Sequence, residues 1–283
     1  MWRKILIIVV VLFLAVTVLS SLSRPHQKAG KTETSLPENL PKYVVWYADH
    51  ETGDASQWEI GTPSKPFQDS GICLRPKNGV SDEVAHSGRY ALKMSIQSWF
   101  LHSGCRTFRY PEVRSGEPYY YSAWIYFPED YQVNGWSNIM QFKAKPFNQR
   151  GGGSLLFWSL RLLNHENGDM YFQLHWDQQN EWAGPTADGE PLIGKYYDQN
   201  IATVRPGQWV QVEMYLKQSS EFDGQIIVWQ DGVEIYNVTN IRTKMPDGFN
   251  SWSVNSYGGG ITPEPFTVYV DDAVVSTERV GPL

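Results

Sequence analysis

An all-β sandwich of two antiparallel sheets is the fold class that the chain predicts, and three observations carry the prediction. From Tyr43 onward the sequence runs in short alternating or apolar stretches broken by Gly, Pro, Asn and Asp. No segment keeps a helical apolar period over ten residues or more. Between two alternating runs, 225–230 and 233–239, sits Asp231-Gly232, the pair that a two-residue hairpin turn prefers. With 283 residues, 14% of them aromatic and only 19% charged, the chain is long enough for one large sandwich domain. Its formal net charge of −6 gives no electrostatic reason to expect a nucleic-acid partner.

Arg3 and Lys4 precede the apolar run Ile5 to Leu19, and small residues follow to Ser23. A basic start, an apolar stretch and a small-residue end read as a signal peptide, or as an uncleaved membrane anchor, over residues 1–23. Either way the domain is expected to be secreted or held outside the cytoplasm. Residues 24–42 are polar and Pro-containing, and read as a flexible spacer. The strand-like runs are 43–48, 89–97, 119–127, 138–145, 154–163, 170–176, 208–217, 225–230, 233–239, 251–257 and 266–277. Residues 43–283 are thus expected to form one β domain, acting as a monomer. The two cysteines, Cys73 and Cys105, lie in an exported chain, where a disulfide is chemically permitted; two buried free thiols are the alternative.

Several runs have one apolar side and one side rich in hydrogen-bonding and aromatic groups, because side chains alternate along a strand. In 170–176, Met170, Phe172, Leu174 and Trp176 oppose Tyr171, Gln173 and His175. In 138–145, Met140 and Phe142 oppose Gln141 and Lys143; in 154–163, Trp158 and Leu160 oppose Arg161. Trp124 in 119–127, and Asn255 and Tyr257 in 251–257, fall on similar sides. If these strands are neighbours, their polar sides merge into one floor suited to carbohydrate, with rings for sugar faces and amides and cations for hydroxyls and carboxylates. Otherwise they meet water, as most polar sheet faces do.

The runs GRYALKMSI, CRTFRYPEV, YYYSAWIYFPEDY, WSNIMQFKAKP, GQWVQVEMYLK and VYVDDAVVS resemble the polysaccharide lyase family that includes heparin-lyase-like and glucuronan-lyase-like proteins. The resemblance implies a concanavalin A-like β-jelly roll whose concave sheet binds an acidic polysaccharide. It also implies β-elimination at a uronic acid. That chemistry needs a group that neutralises the C6 carboxylate, a base for the C5 proton and an acid for the departing O4 oxygen.

By resemblance, Gln141 lies on the catalytic strand, and Lys143 occupies the position where related lyases often carry His. Arg106 and Arg109, with Glu112, look like the family's Arg and Glu strand, and Tyr197 in LIGKYYDQN looks like its Tyr-bearing segment. The expected catalytic set is Arg109, Gln141, Lys143, His175 and Tyr197. The expected glycan contacts are Trp124, Arg161, Tyr171, Gln173, Asn255 and Tyr257, with Trp182 in the long segment 176–197 covering one end. Glu51 in YADHETGD and the pair Asp271 and Asp272 resemble elements that hold a structural Ca²⁺ on the convex sheet of many jelly rolls. No cofactor is expected in the chemistry. The competing function is a non-catalytic, lectin-like glycan-binding domain, since one jelly roll hosts both. A glycoside hydrolase lacks its closely spaced pair of strand carboxylates.

Overall fold

A computed structural model describes residues 40–58, 79–96, 104–109, 116–146, 156–178, 194–246 and 248–282. Among these residues there is no helix, so none long and apolar enough to cross a membrane, and there are fourteen strands. They are β1 (Val44–Ala48), β2 (Gly79–Ser81), β3 (Ala91–Ile96), β4 (Gly104–Arg109), β5 (Tyr119–Tyr126), β6 (Gln132–Pro146) and β7 (Leu156–Asn164). There follow β8 (Met170–Gln178), β9 (Lys195–Tyr197), β10 (Trp209–Lys217), β11 (Gly224–Gln230), β12 (Val233–Ile241), β13 (Gly248–Thr262) and β14 (Phe266–Ser276). The proposed leader and most of the spacer, residues 1–39, lie outside the described residues.

The strands divide into two antiparallel sheets. One has the order β12-β11-β10-β5-β14-β3-β2, with β1 also paired to β14; the other has the order β4-β13-β6-β7-β8-β9. The eleven runs expected from the sequence all appear as strands. Three short strands, β2, β4 and β9, join them. Asp231 and Gly232 turn the β11–β12 hairpin with φ of 49° and 80°, the positive pair that a type I′ turn requires.

Alternation sends one side of each sheet inward. Tyr121, Ala123 and Ile125 of β5 and Val210, Val212 and Met214 of β10 meet Met140 and Phe142 of β6, Trp158 and Leu160 of β7 and Phe172 and Leu174 of β8 in one core. Trp252 of β13 is fully buried, with its ring centroid 5.3 Å from Tyr121, 5.7 Å from Trp58 and 6.1 Å from Trp46. It is the ring on which strands from both sheets converge. Trp252→Ala is therefore expected to cost about 3–5 kcal/mol, the range for emptying a buried aromatic site. A urea titration reads it; a loss under about 1 kcal/mol would contradict this packing.

One irregularity shapes the other face. Between Asn138 and Met140 the β6–β7 register shifts, so Ile139 and Met140 are both buried in the core. The extra residue returns Asn138 to the side that Gln141 occupies, although the two stand three apart, where a regular strand would oppose them.

Candidate functional site

The outward face of the six-stranded sheet gathers its polar residues in register. Gln141 of β6 lies opposite Ser253 of β13 on one side and Ser159 of β7 on the other; Ser159 faces His175 of β8, and His175 faces Tyr196 of β9. One row thus crosses five strands. A neighbouring row runs through Asn138, Arg161 and Gln173. On the other side of Gln141, Lys143 stands half-buried opposite Ser251.

A run of amides fixes Gln141. Ser253 Oγ donates to Asn255 Oδ1 (2.9 Å), Asn255 Nδ2 donates to Asn138 Oδ1 (2.8 Å), and Asn138 Nδ2 donates to Gln141 Oε1 (3.0 Å). All four side chains are buried. Each amide orients the next, so the Gln141 carbonyl is spent within the protein. Its Nε2 has no partner among the described residues. The core indoles Trp176 and Trp252 also have a buried Nε1 without a partner, but Gln141 Nε2 is on the polar side of the sheet, where a ligand oxygen could accept from it.

His175 is the imidazole of the Gln141 row. Its ring lies flat against Tyr196, centroids 4.3 Å apart and planes 10° apart, and Ser159 Oγ is 3.5 Å from its Nδ1. Burial, and then the positive charge of Arg161, pull its pKa from 6.5 down to about 4. At neutral pH it is an uncharged imidazole, the form that can accept a proton. Tyr196 is 54% exposed and lies along one face of that imidazole.

Aromatic rings and guanidinium groups border the row. Arg106 of β4 lies over Tyr257, its Cζ 4.4 Å from the ring centroid, and Tyr257 meets Trp136 edge-on at 5.1 Å. Gly104, opposite Tyr257 in register, makes room for that ring, since a Cβ there would stand 2.5 Å from Tyr257 Cδ2. Arg161 Cζ lies 5.4 Å from the Trp136 ring and 5.6 Å from Tyr196. Behind Arg161, Asp198 accepts from Tyr171 Oη and Gln173 Nε2, both at 2.7 Å. Those two hydrogen bonds, Gln173 first, hold the Asp198 carboxyl below the usual range. Burial and the bond to Asp198 push the Tyr171 phenol up to about 12.

The sheet therefore brings together Gln141, Lys143, Arg161, Gln173, His175 and Tyr257 from the expected set. Tyr171 and Asn255 are also on it, but their polar atoms are spent on Asp198, Ser253 and Asn138, so they build the floor. Three expectations are corrected. Arg109 pairs with the core residue Trp252 in register and lays its Cζ 4.6 Å over Trp46, on the inner side; Arg106 is the arginine of the outer face. Tyr197 packs inward on Trp158, and Tyr196 takes the groove position. Trp124 belongs to β5 of the other sheet, where it stacks on His86 at 3.9 Å. Alternation gives the side of a strand but not its sheet, and adjacent residues of a three-residue strand exchange sides with one step of register. Trp136, Asn138 and Asp198 were missed, and only Trp136 carried a signal, an indole beside the alternating run 138–145.

A model of the polysaccharide lyase family matches residues 50–272. The chain belongs to the polysaccharide lyase family. Among solved structures, the endo-β-1,4-glucuronan lyase of the fungus Trichoderma reesei superposes with a TM-score of 0.59 at 21% identity, covering 83% of this chain and 96% of that one. The alginate lyase vAL-1 from Chlorella virus gives 0.52 at 15% identity over 71% and 89%, and alginate lyase Aly36B gives 0.51 at 15% over 73% and 85%. No curated protein matches the chain. At these identities the likeness shows the fold, a β-sandwich jelly roll shared with polysaccharide lyases.

The remaining expectations fall elsewhere on this lyase fold. Trp182 lies outside the described residues, and so does Cys73; Cys105 is disulfide-bonded. The carboxylates considered for Ca²⁺ are occupied by protein donors. Glu51 Oε1 accepts from the amides of Arg89 and Tyr90, both at 2.8 Å. Asp271 takes His50 Nδ1 and the Asp272 amide on one oxygen and the amides of His86 and Ser87 on the other. Asp272 accepts from Tyr47, His86 and Ser87. Among the described residues no group of three or more His, Cys, Asp or Glu is arranged to hold a metal.

Proposed function

We propose that the protein cleaves a uronate-containing polysaccharide by β-elimination in the groove of its six-stranded sheet. One observation carries the reading: an unpartnered amide donor, Gln141 Nε2, stands in one row with a neutral imidazole and an exposed phenol. The family and the glucuronan and alginate lyases of like fold support it. The steps below are assigned to side chains of this sheet and call on no cofactor.

Each group has a task. Gln141 Nε2, with Lys143 two residues along the same strand, takes the C6 carboxylate and lowers its charge, which makes the C5 proton acidic. His175, uncharged at neutral pH, removes that proton. The electron pair left on C5 becomes the C4=C5 double bond as the C4–O4 bond breaks, and O4 takes a proton from Tyr196. The products are a shortened chain and an unsaturated uronate. Lys143, on the same face as Gln141, is assigned to the carboxylate, where its charge has a task.

We further read residues 1–23 as a leader or anchor that delivers a monomeric domain, residues 43–283, outside the cytoplasm. The purified domain is to be incubated with alginate, glucuronan, heparin and pectate while the ultraviolet band of unsaturated uronate is followed. New absorbance is the expected result. Binding with no absorbance on every polymer would replace the lyase by the lectin-like alternative. The Tyr196 assignment has its own measurement. Tyr196→Phe is expected to lower kcat by about 10²-fold, the scale of a lost general acid, while Tyr197→Phe keeps wild-type turnover. The reverse order would return the role to Tyr197.

A further inference from the structure

We propose that Arg161 binds the carboxylate of a second uronate, next to the one that is cleaved, and so selects glycans with consecutive uronic acids. The proposal rests on the lyase reading above. Its first support is a charge without a counter-charge. Elsewhere among the described residues Arg279 pairs with Glu213 (3.2 Å), Arg89 with Asp82 (3.3 Å), Lys93 with Glu83 (2.5 Å) and Lys217 with Asp223 (3.3 Å). Arg161, like Arg205 and Lys195, has no carboxylate within 4.0 Å among the described residues, but it alone of the three stands in a row of the polar floor, between Asn138 and Gln173. Asp198, the acid on its side of the floor, is spent on Tyr171 and Gln173.

The second support is preorganisation. The guanidinium is held between the rings of Trp136 and Tyr196, which come from different strands, so its direction is set before a ligand arrives. A fixed guanidinium fork suits a carboxylate and is poorly used on a neutral sugar. The third is position. Arg161 lies two residues along β7 from Ser159, the residue level with Gln141 and His175, a step of about 7 Å at strand rise. Gln141 holds the carboxylate of the sugar being cleaved, and Arg161 reaches a neighbouring sugar. A polymer of consecutive uronates supplies a carboxylate there; one that alternates uronate with hexosamine supplies a neutral ring.

The test compares wild type with R161Q and R161K on alginate and glucuronan, whose uronates are consecutive, and on hyaluronan, where they alternate. Wild type is expected to prefer a consecutive polymer. R161Q should raise KM on it by about 10- to 100-fold, the worth of one hydrogen-bonded charge, with kcat nearly kept. R161K, which keeps the charge without the fork, should fall between, and it serves if R161Q does not fold. The acid limb of kcat/KM in R161Q should move to higher pH, because His175 loses a repelling charge. An unchanged KM in R161Q, or equal turnover of hyaluronan and the consecutive polymers by wild type, overturns the assignment. If wild type cleaves nothing, the lyase reading fails by itself. Gel retardation by alginate or glucuronan then decides on Arg161: loss in R161Q supports it, and equal retardation overturns it.

Discussion

Gln141→Glu is expected to lower kcat by at least about 10²-fold at neutral pH while the protein stays folded. The substitution keeps the shape of the side chain and an oxygen to accept from Asn138 Nδ2, so the amide run through Asn255 and Ser253 has its acceptor. What changes is the atom that faces the ligand. A donor becomes an oxygen, and the carboxylate that Nε2 would neutralise meets a like charge. Removing one preorganised donor from a developing anion costs about 10²–10³ in rate, and adding repulsion makes that a lower bound. Steady-state rates from the unsaturated-uronate band, with a melting curve as the folding control, make the measurement. Turnover within about threefold of wild type would remove Gln141 from the proposed mechanism.

His175→Gln is expected to be as severe, about 10²–10⁴ in kcat, because no other imidazole is in the Gln141 row. The wild-type pH profile is the finer measurement. Burial, and then Arg161 on β7, hold His175 down at about 4, and Ser159 and the Tyr196 ring lie against it. The base is therefore in its active form at neutral pH, and this group keeps activity until the pH falls towards 4. A kcat/KM profile that already halves near pH 6.5 would show an ordinary histidine and contradict the buried site. The same shift acts on stability, with a definite sign. His175 has its ordinary 6.5 in the unfolded chain and about 4 in the folded one, so the unfolded state binds the proton first as pH falls. Its contribution to stability is complete above about pH 6.5, declines between 6.5 and 4, and is gone below.

Much of this was legible one strand at a time. The run 170–176 shows its two sides in the sequence, and the structure keeps them: Phe172 and Leu174 go to the core, Gln173 and His175 to the groove. Asp231-Gly232 announces its hairpin because few residues accept positive φ at both turn positions. Short elements were harder. β9 has three residues, Lys195–Tyr197, and no pattern that short can say which of two tyrosines faces out. The bulge after Asn138 was invisible too, because one extra residue reverses the parity on which alternation depends.

By itself the sequence determined the sandwich, eleven of the fourteen described strands and, away from the bulge after Asn138, which side of those strands is apolar, for a local reason: alternation and turn chemistry are properties of neighbours along the chain. Only the tertiary structure decided which strands lie side by side. It placed Trp124 on one sheet and Trp136 on the other, turned Arg109 and Tyr197 inward, and put Arg106 and Tyr196 in their places. It also set Gln141 and His175 in one row, through hydrogen-bonded registers between strands that are far apart in sequence. A binding row that crosses five strands is made of such registers, and no stretch of one strand contains them.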